Sequence, residues 1–228
     1  QTERDVLVSF ARQPHPFVVP LLRSYRSGSH YHFVMPLLAG GTLLTYIKTF
    51  DPALLPEASA RFYGAQIALA LGELHARGVL YLDLKLENVL LSATGDAVLV
   101  DFGLAQLGVD VAAGATTKRA GGTKAYLSPE AVSSHQVGGA ADWWALGVVL
   151  FEMLTGGAPF VGTDKKALQA AICNCRMRFP AESVVSGEAR SLVRRLLAKQ
   201  PEQRLGAATG VAEVQSHPFF RGLDWAAL

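Results

Sequence analysis

Asp83 and Asn88 stand five positions apart in the stretch Tyr81-Leu82-Asp83-Leu84-Lys85-Leu86-Glu87-Asn88, after a helix-like segment and before a short β hairpin. That position predicts a loop, where a carboxylate and an amide can converge on a ligand. Past the hairpin comes Asp101-Phe102-Gly103, which puts a second carboxylate at the end of the second β run. A hairpin folds its ends together, so Asp101 is expected to return close to Asn88. Taken singly, these residues have plainer explanations: Asp83 can be a turn or helix-terminal aspartate, and Asp-x4-Asn recurs often by chance. The information lies in the order and spacing of several such pieces together.

Positioning falls to the segments on either side. Pro56 opens a long helical stretch in which Tyr63, Ile67, Leu71 and Leu74 recur at intervals of four, four and three, and Gly78 closes it. Val89 to Leu91 and Ala97 to Val100 read as strands joined by Ser92-Ala93-Thr94-Gly95-Asp96. Further upstream the spacing predicts a short helix over Thr2 to Phe10, a proline-punctuated stretch, and strands at Phe17 to Leu22 and Tyr31 to Leu38, hinged at Ser27-Gly28-Ser29. From Leu107 to Thr123 the chain is rich in Ala, Gly and Thr without periodicity and reads as a long mobile loop. Beyond Gly139 the pattern is mainly helical. Glu152 is the only charge between Trp143 and Leu154, so that helix belongs at the centre of a domain. Amphipathic helices follow near Lys165 to Cys173 and Gly187 to Ala198. Strand-containing layers followed by a helical mass predict an α+β fold whose helices form the larger lobe.

Composition narrows the function classes. The chain has 228 residues, half of them apolar and 18% charged, which excludes a disordered or fibrous protein. A net charge of +2 gives no electrostatic reason to bind nucleic acid. The longest apolar run, Trp143 to Phe151, is far short of the roughly 18 residues a spanning helix needs, so no membrane span and a soluble chain are expected. Cys173 and Cys175 are one residue apart, a spacing that suits neither a disulfide framework nor a zinc site. The sequence opens on Gln1 without an initiator Met or signal peptide, and is expected to begin inside a longer protein.

Taken together, the motifs resemble the eukaryotic protein kinase family from Glu3 to the end of the chain. The family's catalytic loop is matched by Asp83, Lys85 and Asn88, its Asp-Phe-Gly by residues 101 to 103, and its Ala-Pro-Glu by Ser128-Pro129-Glu130, preceded by Gly122-Thr123 and Tyr126-Leu127. Asp142-Trp143-Trp144-Ala145-Leu146-Gly147 matches the start of the central helix, and Arg204 stands where an arginine pairs with the glutamate of Ala-Pro-Glu. Lys85 and Thr123 look like the serine/threonine type. Arg61-Phe62-Tyr63 and Ser216-His217-Pro218-Phe219-Phe220 resemble the AGC branch, among the ribosomal S6 kinases and their relatives.

The resemblance implies a kinase-like α+β fold with a complete helical C-lobe, residues 39–228, and only the last helix and two strands of a small N-lobe, residues 1–38. A hinge is implied at 36–41. ATP and Mg²⁺ are the implied cofactors and Ser/Thr proteins the substrates, with regulatory proteins as further partners and a cytoplasmic or nuclear location. Asp83 would orient the substrate hydroxyl and accept its proton, Lys85 would sit near the transferred phosphate, and Thr123 would hydrogen-bond that set. Asn88 and Asp101 would hold the metal with hard oxygen donors. Met35 would be the gatekeeper, Pro36 to Leu38 would meet the adenine, Leu90 would lie under it, and Glu87 would border the nucleotide site. Glu87 and Glu152 also match acidic positions that receive a basic substrate residue. Leu7, Leu21, Tyr81 and Phe102 match an apolar column that ties the lobes together.

The sequence departs from that family in four places. No glycine-rich loop or Val-Ala-x-Lys strand is present, and Glu3 is the residue expected to pair with such a lysine, so these 228 residues alone are expected to transfer phosphate poorly. An interaction domain of the pseudokinase kind is the alternative. Leu82 replaces the arginine that clamps a phosphorylated activation loop, and Arg119 stands where relatives carry the phosphorylated threonine; activation-loop phosphorylation is therefore not expected to be the switch, although Thr116 and Thr117 remain targets. Thr42 replaces an acidic residue near the ribose. Without neighbouring strands, Thr2 to Phe10 is expected to lack a packing partner and the first part to be loose.

Overall fold

The computed structural model describes residues 2–118 and 121–228; the expectation placed on Arg119 lies outside them. The chain opens with helix α1 (Thr2–Arg12), whose inner face, Val6, Leu7 and Phe10, is fully buried. It then forms an antiparallel hairpin of β1 (Arg23–Ser27) and β2 (His30–Val34), turning at Gly28, whose φ of +58° only glycine adopts without strain. A short α2 (Leu43–Ile47) and the long α3 (Glu57–Ala76) follow. Pro56 caps α3 as expected, and Gly78, at φ +70°, turns the chain away beyond its end.

After α3 come β3 (Val79–Leu80), a 3₁₀ turn at Leu86–Asn88, β4 (Val89–Leu91), β5 (Ala97–Leu99), β6 (Gln106–Leu107) and β7 (Thr117–Lys118). A second 3₁₀ turn at Lys124–Tyr126, α4 (Pro129–Ser133) and β8 (Gln136–Val137) lead into the helical mass: α5 (Gly139–Thr155), α6 (Lys165–Asn174), α7 (Gly187–Leu196) and α8 (Val211–Gln215). The strands pair only in twos, β1 with β2, β3 with β6, β4 with β5 and β7 with β8, all antiparallel. Helix α5 is the apolar centre, with Trp143 to Phe151 buried without interruption. It approaches α7 closely enough that a Cβ on Gly147 would stand 2.9 Å from that of Leu196.

Three expectations need correction. Phe17 to Leu22 is not half of the hairpin. Pro20 lacks the N–H a ladder requires, and Phe17, Val18 and Val19 are all buried instead of alternating, so the segment runs as a rod joined to β5 through the parallel bridge of Val18 with Leu99. The hairpin is built instead from Arg23–Ser27 and His30–Val34, a register set by the turn, with the second strand ending before Pro36. The described part of Leu107 to Thr123 is also pinned, because Val109 donates to Gly78 O at 3.0 Å and β7 pairs with β8. Finally, α1 does have a partner. The Arg77 guanidinium lies 4.0 Å from the Phe10 ring centroid and donates to Ser9 O and Gln13 O, which fastens the helix to the end of α3.

Candidate active site

The loop between β3 and β4 is held from below by one buried carboxylate. Asp142, in the first turn of α5 and 1% exposed, accepts hydrogen bonds from the backbone N–H groups of Tyr81 (3.0 Å) and Leu82 (2.8 Å). His75 Nε2 donates to the same carboxylate at 2.8 Å. Three donors on one buried charge make its burial tolerable and fix the loop against both long helices. Leu82 is thereby held at φ +63°, a left-handed conformation uncommon for a branched residue, which turns Asp83 into the site. Sequence reasoning gave Asp142 a motif but no task, and passed over His75. The available signal was a carboxylate in the first turn of a helix that is otherwise apolar up to Glu152, and a carboxylate buried there has to be paired.

Asp83 and Asn88 are both nearly buried, at 7% and 6% exposure. Asn88 Nδ2 donates to Asp83 O and to Asp83 Oδ2, each at 2.9 Å. Lys85 Nζ donates to the same Oδ2 at 2.8 Å and to Thr123 Oγ1 at 3.4 Å. The structure thus brings together Asp83, Lys85, Asn88 and Thr123. Asp101 joins them through the β4–β5 hairpin, because Val100 N–H donates to Asn88 O at 3.1 Å. Asp101 is itself exposed and left-handed, at φ +58°, with Oδ1 accepting from Gly103 N–H at 3.1 Å.

A cavity of about 540 Å³ opens above Asp101. Met35, Pro36, Leu37 and Leu38 line one side, Leu90, Val100 and Phe102 the other, and Glu3, Leu7 and Val19 close it. Val19 and Val100 were missed because a single valine in a loop or at a strand end carries no sequence signal. Burial, and then the charge of Asp101, push the Glu3 carboxyl above its ordinary range. Beneath the cavity Phe102 packs edge-on against Tyr81, with centroids 5.4 Å apart, in the same core as Leu7 and Leu21. The Tyr81 hydroxyl donates to Val100 O, and burial with surrounding carboxylates holds its phenol well above the usual range. Glu87 does not line this cavity. It is exposed beside Tyr126 and Glu152, where the Tyr126 hydroxyl donates to Glu152 Oε2 at 2.6 Å.

Arg204 and Glu130 form the expected buried pair in two parallel hydrogen bonds of 2.7 and 2.9 Å. Arg204 also donates to Ala198 O and Ala140 O, so α4, through Glu130, is tied to α5 and to the segment just past α7. No helix among the described residues is long and apolar enough to cross a membrane.

The family described as protein kinase domain matches residues 1–220. Among similar proteins, RAC serine/threonine-protein kinase of Drosophila melanogaster is 40% identical over 225 residues, covering 98% of this chain and 35% of its own length. Human ribosomal protein S6 kinase alpha-2 is 40% identical over 227 residues, covering 98% and 29%. Mouse ribosomal protein S6 kinase alpha-4 is 42% identical over 234 residues, covering 100% and 29%. The chain therefore spans about a third of the length of these relatives. With Asp83, Lys85, Asn88 and Thr123 held in one hydrogen-bonded set and nearly the whole chain aligned to serine/threonine kinases, the chain belongs to the protein kinase domain family, in its AGC branch.

Proposed function

We propose that this domain transfers the γ-phosphoryl group of ATP to serine or threonine hydroxyls of proteins. The observation that carries this reading is the single hydrogen-bonded set of Asp83, Lys85, Asn88 and Thr123, joined by the Val100 N–H to Asn88 O bond to a largely apolar cavity lined by Val100 and Asp101. The cavity fits a flat heteroaromatic base: Met35 to Leu38 supply backbone groups along one edge, and Leu90 supplies an apolar floor. The 39–228 portion forms the substrate-side lobe in this reading, and 1–38 the nucleotide-side portion.

The donor set also fits a hard divalent cation. Burial raises the Glu3 carboxyl and the charge of Asp101 raises it further, marking a place where negative charge is crowded, and Asn88 immediately precedes β4, which pairs with the β5 strand leading to Asp101. One carboxylate and one amide are what Mg²⁺ takes from protein when phosphate oxygens supply the rest. Magnesium-bound ATP, when present, supplies the activated phosphoryl group. This chain's own residues do the remaining work. Asp83, held by Asn88 and Lys85, has its carboxylate placed to orient an incoming hydroxyl and take its proton. Lys85 is fixed between Asp83 and Thr123, where its ammonium meets charge developing on the transferred oxygens. No lysine or arginine lines the cavity among the described residues, so turnover by these 228 residues is expected to be slow.

A scaffold without catalysis is favoured by one observation, the burial of Leu82 in an apolar cluster where catalytic relatives carry a charge. Phosphoryl transfer to an unstructured Ser/Thr-rich protein separates the two. Slow incorporation that falls by about 10²- to 10⁴-fold in Asp83→Asn supports the transferase, since that range is what a positioned acid–base group contributes. Incorporation that is absent, or unchanged by the substitution, supports the scaffold.

A further inference from the structure

A second cavity, of about 220 Å³, lies beside Gly122 and Lys124 and shares no lining residue with the nucleotide-side cavity. Its floor is apolar, from Leu127, Val132 and Leu168, and its basic side chains are Lys124, His135 and Lys165. No carboxylate lines it among the described residues. Neither lysine makes an ion pair among the described residues. The acids that stand near it in sequence are committed elsewhere: Asp164 caps α6 by accepting from Ala167 N–H at 2.8 Å, and Glu130 is held by Arg204. Its link to the candidate active site is Thr123. Thr123, hydrogen-bonded to Lys85, is flanked in the chain by Gly122 and Lys124, which both line the cavity.

We propose that this cavity selects protein substrates carrying an anionic side chain, carboxylate or phosphate, close to the acceptor hydroxyl. The inference rests on the transferase reading, because it places the acceptor at Asp83. An extended chain advances about 3.3–3.6 Å per residue, so a polypeptide with its hydroxyl at Asp83 sets a neighbouring side chain over Thr123 and the cavity mouth. The methylene stem of that side chain lies on Leu127, Val132 and Leu168, and its charged head meets the two flexible ammonium groups. Within the catalytic loop itself the exposed Glu87 stands beside Tyr126 and Glu152. The site is therefore unlike at its two sides, basic where Lys124 and Lys165 stand and acidic at the exposed Glu87, which biases the direction in which a substrate of mixed charge lies.

The test is a fluorescence-anisotropy titration of the 228-residue chain with labelled peptides of one sequence, each with a central serine. Ala, Leu, Lys, Glu or phosphoserine is placed at each of three positions on either side. Glu or phosphoserine at one position is expected to bind about five- to tenfold more tightly than Ala, the sum of two partly screened ion pairs. The larger of the two effects identifies the head group. In the Lys124→Ala/Lys165→Ala double variant the preference is expected to fall within about twofold of Ala, while Lys166→Ala, an exposed neighbour on α6, keeps it. Absence of peptide binding, no selection for an acid, or selection that survives the double variant would each overturn the proposal. Failure of the transferase reading shows differently, as acid-selective peptide binding by a chain that neither binds nucleotide nor transfers phosphate.

Discussion

Arg204 is among the largest fully buried side chains described, and among the described residues its ion-pair partner is Glu130. Arg204→Met leaves that carboxylate facing a low-dielectric wall, and urea unfolding is expected to show a loss of about 3–5 kcal/mol. A loss under 1 kcal/mol would mean that water reaches Glu130 in the native state. Glu152 poses the converse case, a carboxylate whose own burial pushes it up to about 7, helped by nearby Glu87 and opposed by the Tyr126 hydroxyl. The folded state then holds a proton that the unfolded chain releases near the ordinary 4.5. Stability from this group is present at low pH and falls as pH rises from about 4.5 through about 7. Relative to Glu152→Gln, the wild type is expected to lose on the order of 1–2 kcal/mol between pH 5 and pH 8, after discounting for residual solvent screening. A pH-independent difference between the two proteins would contradict the shift. The Glu130–Arg204 pair was legible in the sequence because both residues fall in recognisable motifs. The His75–Asp142 bond was not, because the partners lie 67 residues apart and neither carries a local pattern that names the other.

At the scale of elements, legibility followed local chemistry. The β4–β5 hairpin formed where expected because Ser92 and Asp96 close its turn with their own hydrogen bonds. The stretch Phe17–Leu22 did not form its expected strand, since a run of buried apolar residues looks the same in a rod as in a strand and only tertiary pairing decides. Leu82 belongs to a small cluster with Leu80, Ala131, Val137 and Ala141, against which Val109, Val111 and Leu127 pack. The catalytic loop, the segment after β6 and the α4–β8 turn are thus joined by apolar contact at the point where relatives place a charged clamp. Leu82→Ala is expected to cost about 2–5 kcal/mol by urea unfolding, with loss of packing around β8 as well as the loop. A cost below 1 kcal/mol would show that these segments are held by the backbone pairs alone. The same apolar joint explains why a phosphate mimic such as Thr117→Glu is expected to leave peptide phosphorylation unchanged, whereas a severalfold rise would reveal a charged clamp elsewhere.

At the scale of the molecule, the α+β class and the dominance of helix beyond Gly139 could be read from periodicity and from the near-absence of charge between Trp143 and Leu154. The docking of α1 could not, because it depends on Arg77 reaching over Phe10 from a helix more than sixty residues away. That anchorage brings Glu3 to the cavity that Asp101 also lines, so under the proposed function metal and nucleotide are expected to bind as one unit across both parts of the chain. Thermal unfolding with ATP, with and without Mg²⁺, tests this most directly. The wild type is expected to be stabilised by ATP only when Mg²⁺ is present, and Asp101→Asn is expected to lose that metal-dependent increment while keeping its unliganded melting temperature within a few degrees. Equal stabilisation of both proteins, or none of either, would contradict a metal-bound nucleotide held by Asn88 and Asp101.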